Sequence, residues 1–334
     1  MQQFIVEQNQ AGQRLDKFLH KYLPNAGTGF LYRMLRKKNI TLNGKKAEGN
    51  EILKLQDEIR CFFSDETFAK FTGNTSASGA VSAPVTDVSE YQKAYKALRD
   101  ISILYEDQDV LILNKPVGVL TQKAMSGDLS LNEWMIGYLL HTHKILPKEL
   151  ALFKPSVCNR LDRNTSGIVL CGISLKGSQV LSELIRDRSI KKYYRTICKG
   201  TLSQKAVLEG ALKKDAKTNT VTISVDGAEI KTAYEPLQML SNHLTYLEVE
   251  LITGKTHQIR AHLASIGHPL AGDAKYGNRA LNQQFFKHYQ LKNQLLHAYR
   301  LEFPDLCNKL DALSNQVIIA PLPKKFQDIL EDLS

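Results

Sequence analysis

One stretch sets the layout of this chain: "TGNTSASGAVSAPVTD", residues 72–87, which carries small and polar side chains and almost no bulky apolar ones. Such a segment cannot bury enough surface to offset the entropy lost on ordering it. It divides the 334 residues into a dense basic piece at 1–63, a flexible linker at 64–97 and a longer mixed domain at 98–330. A chain of this length, 43% hydrophobic and 23% charged, has material for one large core and a second, smaller one.

Charge narrows the partners. Lys and Arg number 44 against 34 Asp and Glu, a formal net charge of +10, and such an excess attracts phosphate backbones without a sequence code. Nucleic acid is the expected partner. A membrane is not, because no apolar run approaches the ~20 residues that a span requires, and "MQQFIVEQNQ" lacks the basic start and apolar stretch of a secretory signal. A cytoplasmic protein is expected. The five cysteines (Cys61, Cys158, Cys171, Cys198 and Cys307) are scattered and never form a CxxC pair, which suits free thiols better than disulfides or zinc.

Within the first piece, "AGQRLDKFLHKYLP" puts Leu15, Phe18, Leu19 and Tyr22 on one helical face and Arg14, Lys17 and Lys21 on another, with Pro24 marking its end. A second helix, "TGFLYRMLRKK", turns Phe30, Leu31, Met34 and Leu35 inward and Arg33, Arg36 and Lys37 outward. "ITLNGKK" then reads as a hairpin turning at Asn43-Gly44. Any one basic stripe reads as a solvated face; three adjoining ones shift the balance away from that reading. These residues resemble the S4-type RNA-binding domain, a small α/β module, over about residues 12–60. The resemblance implies phosphate contacts at Arg33, Arg36, Lys37, Lys38, Lys45 and Lys46. Contacts of that kind position an RNA and carry little sequence information.

The larger piece opens with "ISILYEDQDVLILNKPVG", two short strands around an acidic turn, closed by Lys115-Pro116 and Gly118. "SLKGSQVLSELIRDRS" is an amphipathic helix through Val180, Leu181, Leu184 and Ile185; "IKKYYRTICKG" has strand character, and "TYLEVELI" at 245–252 alternates as a half-buried strand does. No strict βαβ alternation runs through it. The expected fold is α+β, with a mixed, largely antiparallel sheet and helices packed on it.

Two motifs that suggest chemistry fail. "TGKTHQ" holds the Gly-Lys-Thr of a phosphate loop, but the first glycine of that loop would have to stand at Val249. His257, His262 and His268 lack metal-ligand spacing and a neighbouring carboxylate, so they are expected to hydrogen-bond within the fold or to touch RNA. The stretch "CNRLDRNTSG", residues 158–167, survives. Asp162 between Arg160 and Arg163 reads either as a surface turn paired with its neighbours or as a carboxylate nucleophile that stays ionised beside fixed positive charge, held by an arginine from elsewhere.

As a set these residues resemble the RluA family of RNA pseudouridine synthases. "CNRLDRNTSGIVL" is similar to that family's His-Arg-Leu-Asp-Arg-x-Thr-Ser-Gly segment, and "NKPVGVLTQ", "IKKYYRTICKG", "ITGKTHQIRAHLASIGHPLAGDAKYG" and the closing "APLP" follow in the family's order over about residues 100–330. Two departures stand out: Cys158-Asn159, where many members have His before the arginine, and Lys255, where many have Arg. The resemblance implies a pseudouridine synthase fold behind an S4-type domain and a cofactor-free isomerisation, in which uracil leaves the ribose 1′ carbon, turns, and rejoins through its carbon 5. It implies Asp162 as the essential carboxylate, acting on the 1′ carbon or on the base, Tyr194 as the residue that stacks on uracil and serves in proton transfer, and Arg260 as the partner of Asp162. Arg160, Arg163, Lys115 and His257 are the expected substrate contacts near it. Large-subunit ribosomal RNA is the expected substrate, transfer RNA the alternative, and the enzyme is expected to act as a monomer without metal or cofactor. The competing reading is a noncatalytic RNA-binding or ribosome-assembly factor, which has no need of a carboxylate facing a polyanion.

Overall fold

A computed structural model describes residues 1–7, 9–72, 87–215, 220–224, 226–307 and 309–334. The chain divides into two compact units, one of Met1–Ala97, Glu133–Ser156 and Gly172–Gln179, the other of Leu98–Asn132, Val157–Cys171 and Val180–Ser334.

The start of the first unit is a four-stranded antiparallel sheet in the order Gln2–Ile5, Glu58–Cys61, Ile40–Leu42, Lys45–Lys46, with helices Leu15–Tyr22 and Thr28–Arg36. Both helices fold as their periodicity predicts, since Leu15, Phe18, Leu19, Leu31 and Leu35 meet Ile40 and Ile59 in one buried core. Tyr22 is half-buried and stacks on Phe18 at 5.5 Å. The hairpin turns through Asn43 and Gly44, both at positive φ (50° and 72°), the geometry of a two-residue turn that matches strand twist.

The expected linker differs from what composition suggested. Asp65–Thr72 is a helix whose Phe68 is fully buried in the N-terminal core, and Ser89–Ala97 is a second helix with Tyr91 and Ala94 buried. Averaging over residues 64–97 hid the few aromatic side chains that fold its two ends; residues 73–86, at its centre, lie outside the described residues. Residues 133–156, expected with the larger domain, join the first unit for a local reason. A Cβ at Gly137, in helix Leu131–His141, would meet the Tyr91 carbonyl oxygen at 2.2 Å, so only glycine lets this helix cross Ser89–Ala97 this closely, and Tyr95 packs on Trp134 and Tyr138 beside the crossing.

The second unit is built on an eleven-stranded sheet. Its main path runs Thr220–Ile223, Ala206–Asp215, Ala228–Leu240, Leu244–Leu251, Lys191–Lys199, Leu296–Glu302, Ser166–Gly172, Val110–Lys115, Ser102–Glu106. Leu296–Glu302 lies parallel to Ser166–Gly172, while Lys191–Lys199 and Ala228–Leu240 are each antiparallel to both of their neighbours, which gives the mixed sheet that the strand pattern predicts. Val180, Leu181 and Leu184 pack on Val110, Ile112, Ile168 and Leu170 to form one core. The final helix, Lys324–Leu333, closes another with Phe326, Ile329 and Leu333, so ordered structure continues past residue 330. Among the described residues, no helix is long and apolar enough to cross a membrane.

Candidate active site

The strand Ser166–Gly172 is buried along its whole length. Gly167 sits at φ 110°, and a Cβ there would meet the Ala298 carbonyl at 2.2 Å, so glycine is required where this strand meets its parallel neighbour. At the same end, Ser166 Oγ and His297 Nδ1 lie 2.8 Å apart and His297 Nε2 faces the Ala320 carbonyl at 3.2 Å. Burial drives the His297 pKa down to about 4, so the imidazole is neutral, takes the serine hydrogen on Nδ1 and donates from Nε2. This ties the strand's first residue to the "APLP" segment.

The turn before the strand is fastened from several directions. Thr121 Oγ1 donates to the Leu161 carbonyl (2.9 Å) and accepts from the Leu161 amide (3.1 Å); the Thr165 amide donates to the Asp162 carbonyl (3.0 Å). Asn159, one of the two departures, uses its side-chain amide like a strand, accepting from the Leu170 amide at 2.7 Å and donating to the Ile168 carbonyl at 3.3 Å. The other departure, Lys255, is exposed.

Lys115 corrects an expectation. Predicted as a substrate contact, it is fully buried, and its ammonium donates to the carbonyls of Pro116, Val119 and Arg163 at 3.0, 2.8 and 3.1 Å. All three donors are spent on the fold, which fixes the loop after Lys115 against the turn that carries Asp162. Burial pulls its pKa down to about 7, against the upward pull of the Asp162 charge. Arg163 is also engaged, donating from Nε to the Gly118 carbonyl at 3.0 Å, whereas Arg160 is exposed and has no partner among the described residues.

Asp162 is paired with neither flanking arginine. Arg260 Nη1, from helix Gln258–Ser265, donates to Asp162 Oδ2 at 2.7 Å, 98 residues away in sequence. On its other edge Arg260 makes two bonds to Asp273, from Nε at 2.7 Å and Nη2 at 2.9 Å. The side chains of Arg260 and Asp273 are 6% and 0% exposed, while Asp162 keeps 25%. Burial opposes the Arg260 charge, but Asp273 and then Asp162 outweigh it and hold the guanidinium above its ordinary pKa. Burial would likewise raise the Asp273 pKa; the Arg260 bonds reverse this and leave it below the usual carboxylate range. Asp273 thus secures the arginine, the arginine secures Oδ2 of Asp162, and Oδ1 accepts nothing from the described residues.

Tyr194, in strand Lys191–Lys199, is 7% exposed, and its hydroxyl has no partner among the described residues. Burial, with the nearby Asp162 charge adding to it, pushes the phenol pKa upward, so it remains protonated at neutral pH. His257 places Nε2 3.8 Å from Asp162 Oδ2 and Nδ1 2.9 Å from the Tyr276 hydroxyl. The other two histidines turn away from this centre, His262 to Thr232 at 3.0 Å and His268 to the Lys199 carbonyl at 2.8 Å. A partly open carboxylate with one oxygen fixed and one available, beside a protonated phenol, can act as nucleophile or base on a molecule stacked on the tyrosine ring. Sequence reasoning passed over Asp273 and Tyr276, although both lie in the matched "GDAKYG"; the available signal was a lone acid in a segment otherwise rich in cations.

Residues 109–265 match the model of the family described as RNA pseudouridylate synthase. The chain is 28% identical over 339 residues to a ribosomal large subunit pseudouridine synthase C of Buchnera aphidicola, covering 98% of this chain and 96% of the relative. To the protein of the same name from Salmonella typhimurium it is 29% identical over 303 residues, 89% of this chain and 87% of the relative. Among solved structures, human RNA pseudouridylate synthase domain containing 4 superposes with a TM-score of 0.55 at 22% identity, over 72% of this chain and 96% of that one, a likeness of fold. With a family segment that spans both Asp162 and Arg260, and a likeness to ribosomal large subunit pseudouridine synthases C over nearly the whole length, the chain is an RNA pseudouridine synthase, an isomerase.

Proposed function

We propose that this enzyme modifies specific uridines of large-subunit ribosomal RNA, with Asp162 as the reacting carboxylate. The observation that carries the site assignment is the Asp273–Arg260–Asp162 chain, which fixes one oxygen of Asp162 and leaves the other without a partner among the described residues. The names of the full-length relatives support the choice of ribosomal RNA. In the reaction the bond from the ribose 1′ carbon to N1 breaks, a bond from the same carbon to C5 forms, and the proton lost from C5 is balanced by one gained at N1. Asp162 acts on the 1′ carbon or on the base; Tyr194 stacks on the uracil, and its phenol serves the proton transfer. Arg160 and His257 contact the flipped nucleotide's surroundings, and unstacking that nucleotide costs a few kcal/mol, so loops and opened stems are preferred.

The N-terminal sheet-and-helix module acts as an S4-type grip on RNA. Arg33, Arg36, Lys37, Lys38, Lys45 and Lys46 are all exposed, and none forms an ion pair with a described residue, in contrast to Arg14 and Arg60 of the same module, which pair with Asp16 and Glu58. Unneutralised cations of this kind supply phosphate affinity for the catalytic domain that follows in the chain. The enzyme works as a monomer in the cytoplasm, where its five free cysteines stay reduced. Incubating the purified full chain with protein-free large-subunit ribosomal RNA and with bulk transfer RNA, then mapping pseudouridine, tests the substrate. New sites in ribosomal RNA alone are expected; sites confined to transfer RNA would overturn the choice.

A further inference from the structure

His257 opens helix Gln258–Ser265 in the left-handed region, φ 55°, a conformation that non-glycine residues adopt rarely and that clusters at functional sites. The bend lets one ring face two groups: Tyr276 Oη at 2.9 Å from Nδ1 and Asp162 Oδ2 at 3.8 Å from Nε2. The Tyr276 hydroxyl also accepts from the Val221 amide at 2.8 Å. An amide can only donate, so the hydroxyl serves it as acceptor and has its own single proton to offer to Nδ1. Burial, helped by the charges of Arg260 and Lys275 and opposed by Asp162 and Asp273, keeps the imidazole pKa below its ordinary value. A neutral imidazole that accepts on Nδ1 carries its hydrogen on Nε2, the side toward Asp162.

Building on the assignment of Asp162 as the reacting carboxylate, we infer that Tyr276 and His257 form a positioning relay that holds a neutral Nε2–H donor against the Oδ2 edge of Asp162. Among the described residues only Arg260 bonds that oxygen in the free enzyme, and 3.8 Å is too long for a hydrogen bond. Contacts of this kind tighten when substrate excludes water. The relay then adds a second donor on Oδ2, fixes the carboxylate's rotation and leaves Oδ1 for the nucleotide. Protonation of Nδ1 breaks the bond from Tyr276, so the ring loses the contact that orients it and stands as an imidazolium beside Asp162 and Arg260; the relay therefore works above the imidazole pKa and fails below it.

The test uses the full chain, with Tyr276→Phe, His257→Gln and His257→Ala, and Asp162→Asn run alongside. Turnover and KM on a ribosomal RNA substrate are measured across pH 5–8. Tyr276→Phe is expected to lower kcat about fivefold, the worth of one ordinary hydrogen bond, at unchanged KM, and to move the acid limb of the profile to higher pH because the bond favouring neutral imidazole is gone. His257→Ala should lose more, and His257→Gln, which keeps an amide N–H donor, should recover part of it while abolishing the imidazole's contribution to the acid limb. A rise in KM with kcat and the acid limb unchanged would make His257 a simple RNA contact and overturn the relay. Variants indistinguishable from wild type would overturn it too. If Asp162→Asn kept full turnover, the assignment beneath the relay would fail; an inactive Asp162→Asn beside normal Tyr276 and His257 variants would sink the relay alone.

Discussion

Two sets of cations in this protein obey opposite physics. On the N-terminal module, Arg33, Arg36, Lys37, Lys38, Lys45 and Lys46 stand in water without an acidic partner among the described residues, where each charge is screened within about 10 Å at ordinary salt and one lysine can substitute for another. In the catalytic unit, Arg260 and Lys115 are buried and every donor that matters has an assigned acceptor. The exposed set is suited to attract a polyanion from a distance. The buried set holds a negative group, Asp162, at a site where RNA phosphates would otherwise repel it. The difference teaches that a net charge of +10 is not one property: part of it is a solvent-facing field and part is internal scaffolding.

Breaking the buried set should have the largest effect. Asp273→Ala leaves Arg260 buried with half its partners gone, and a drop of about 3–5 kcal/mol in unfolding free energy is expected in urea denaturation. Lys115→Met strands three carbonyls and should cost about 1–3 kcal/mol. It also carries a pH signature. Because the folded-state pKa of Lys115 falls to about 7 from an ordinary 10.5, the unfolded chain binds the extra proton between those values, and wild-type stability relative to Lys115→Met should rise as pH increases from 7 toward 10. A flat difference would mean that the ammonium stays charged in the fold. The exposed set should respond least: Arg36→Gln with Lys37→Gln is expected to change stability by less than about 0.5 kcal/mol. The same pair should make RNA affinity less sensitive to salt, lowering the slope of log affinity against log salt by about 0.7–0.9 for each phosphate no longer neutralised. If it destabilised the fold instead, the contrast between the two sets would collapse.

What could be read in advance follows the range of the interactions. The helices at 15–22 and 28–36 and the Asn43-Gly44 turn are local, and periodicity or turn chemistry reveals them. Helices at the two ends of the expected linker were missed because Phe68 and Tyr91 are few among many polar neighbours, and their burial depends on partners distant in sequence. At the candidate site, the family resemblance singles out Asp162, Tyr194 and Arg260, and the bond from Arg260 to Asp162 is present in the structure. The burial of Lys115 was not, since its acceptors are backbone carbonyls, one of them 48 residues away, which no side-chain pattern announces. Asp273 and Tyr276 were hidden for a related reason: their roles exist only once the chain after helix 258–265 folds back on Arg260 and His257.

The most direct test is pseudouridine mapping at single-nucleotide resolution in ribosomal and transfer RNA from cells lacking this protein, complemented with wild type or with Asp162→Asn. Sites in large-subunit ribosomal RNA that return with the wild type and stay absent with the variant are the predicted result. Equal restoration by both proteins would contradict an Asp162-dependent isomerase, and equal rescue of ribosome assembly with no change in the maps would favour a protein that only binds RNA.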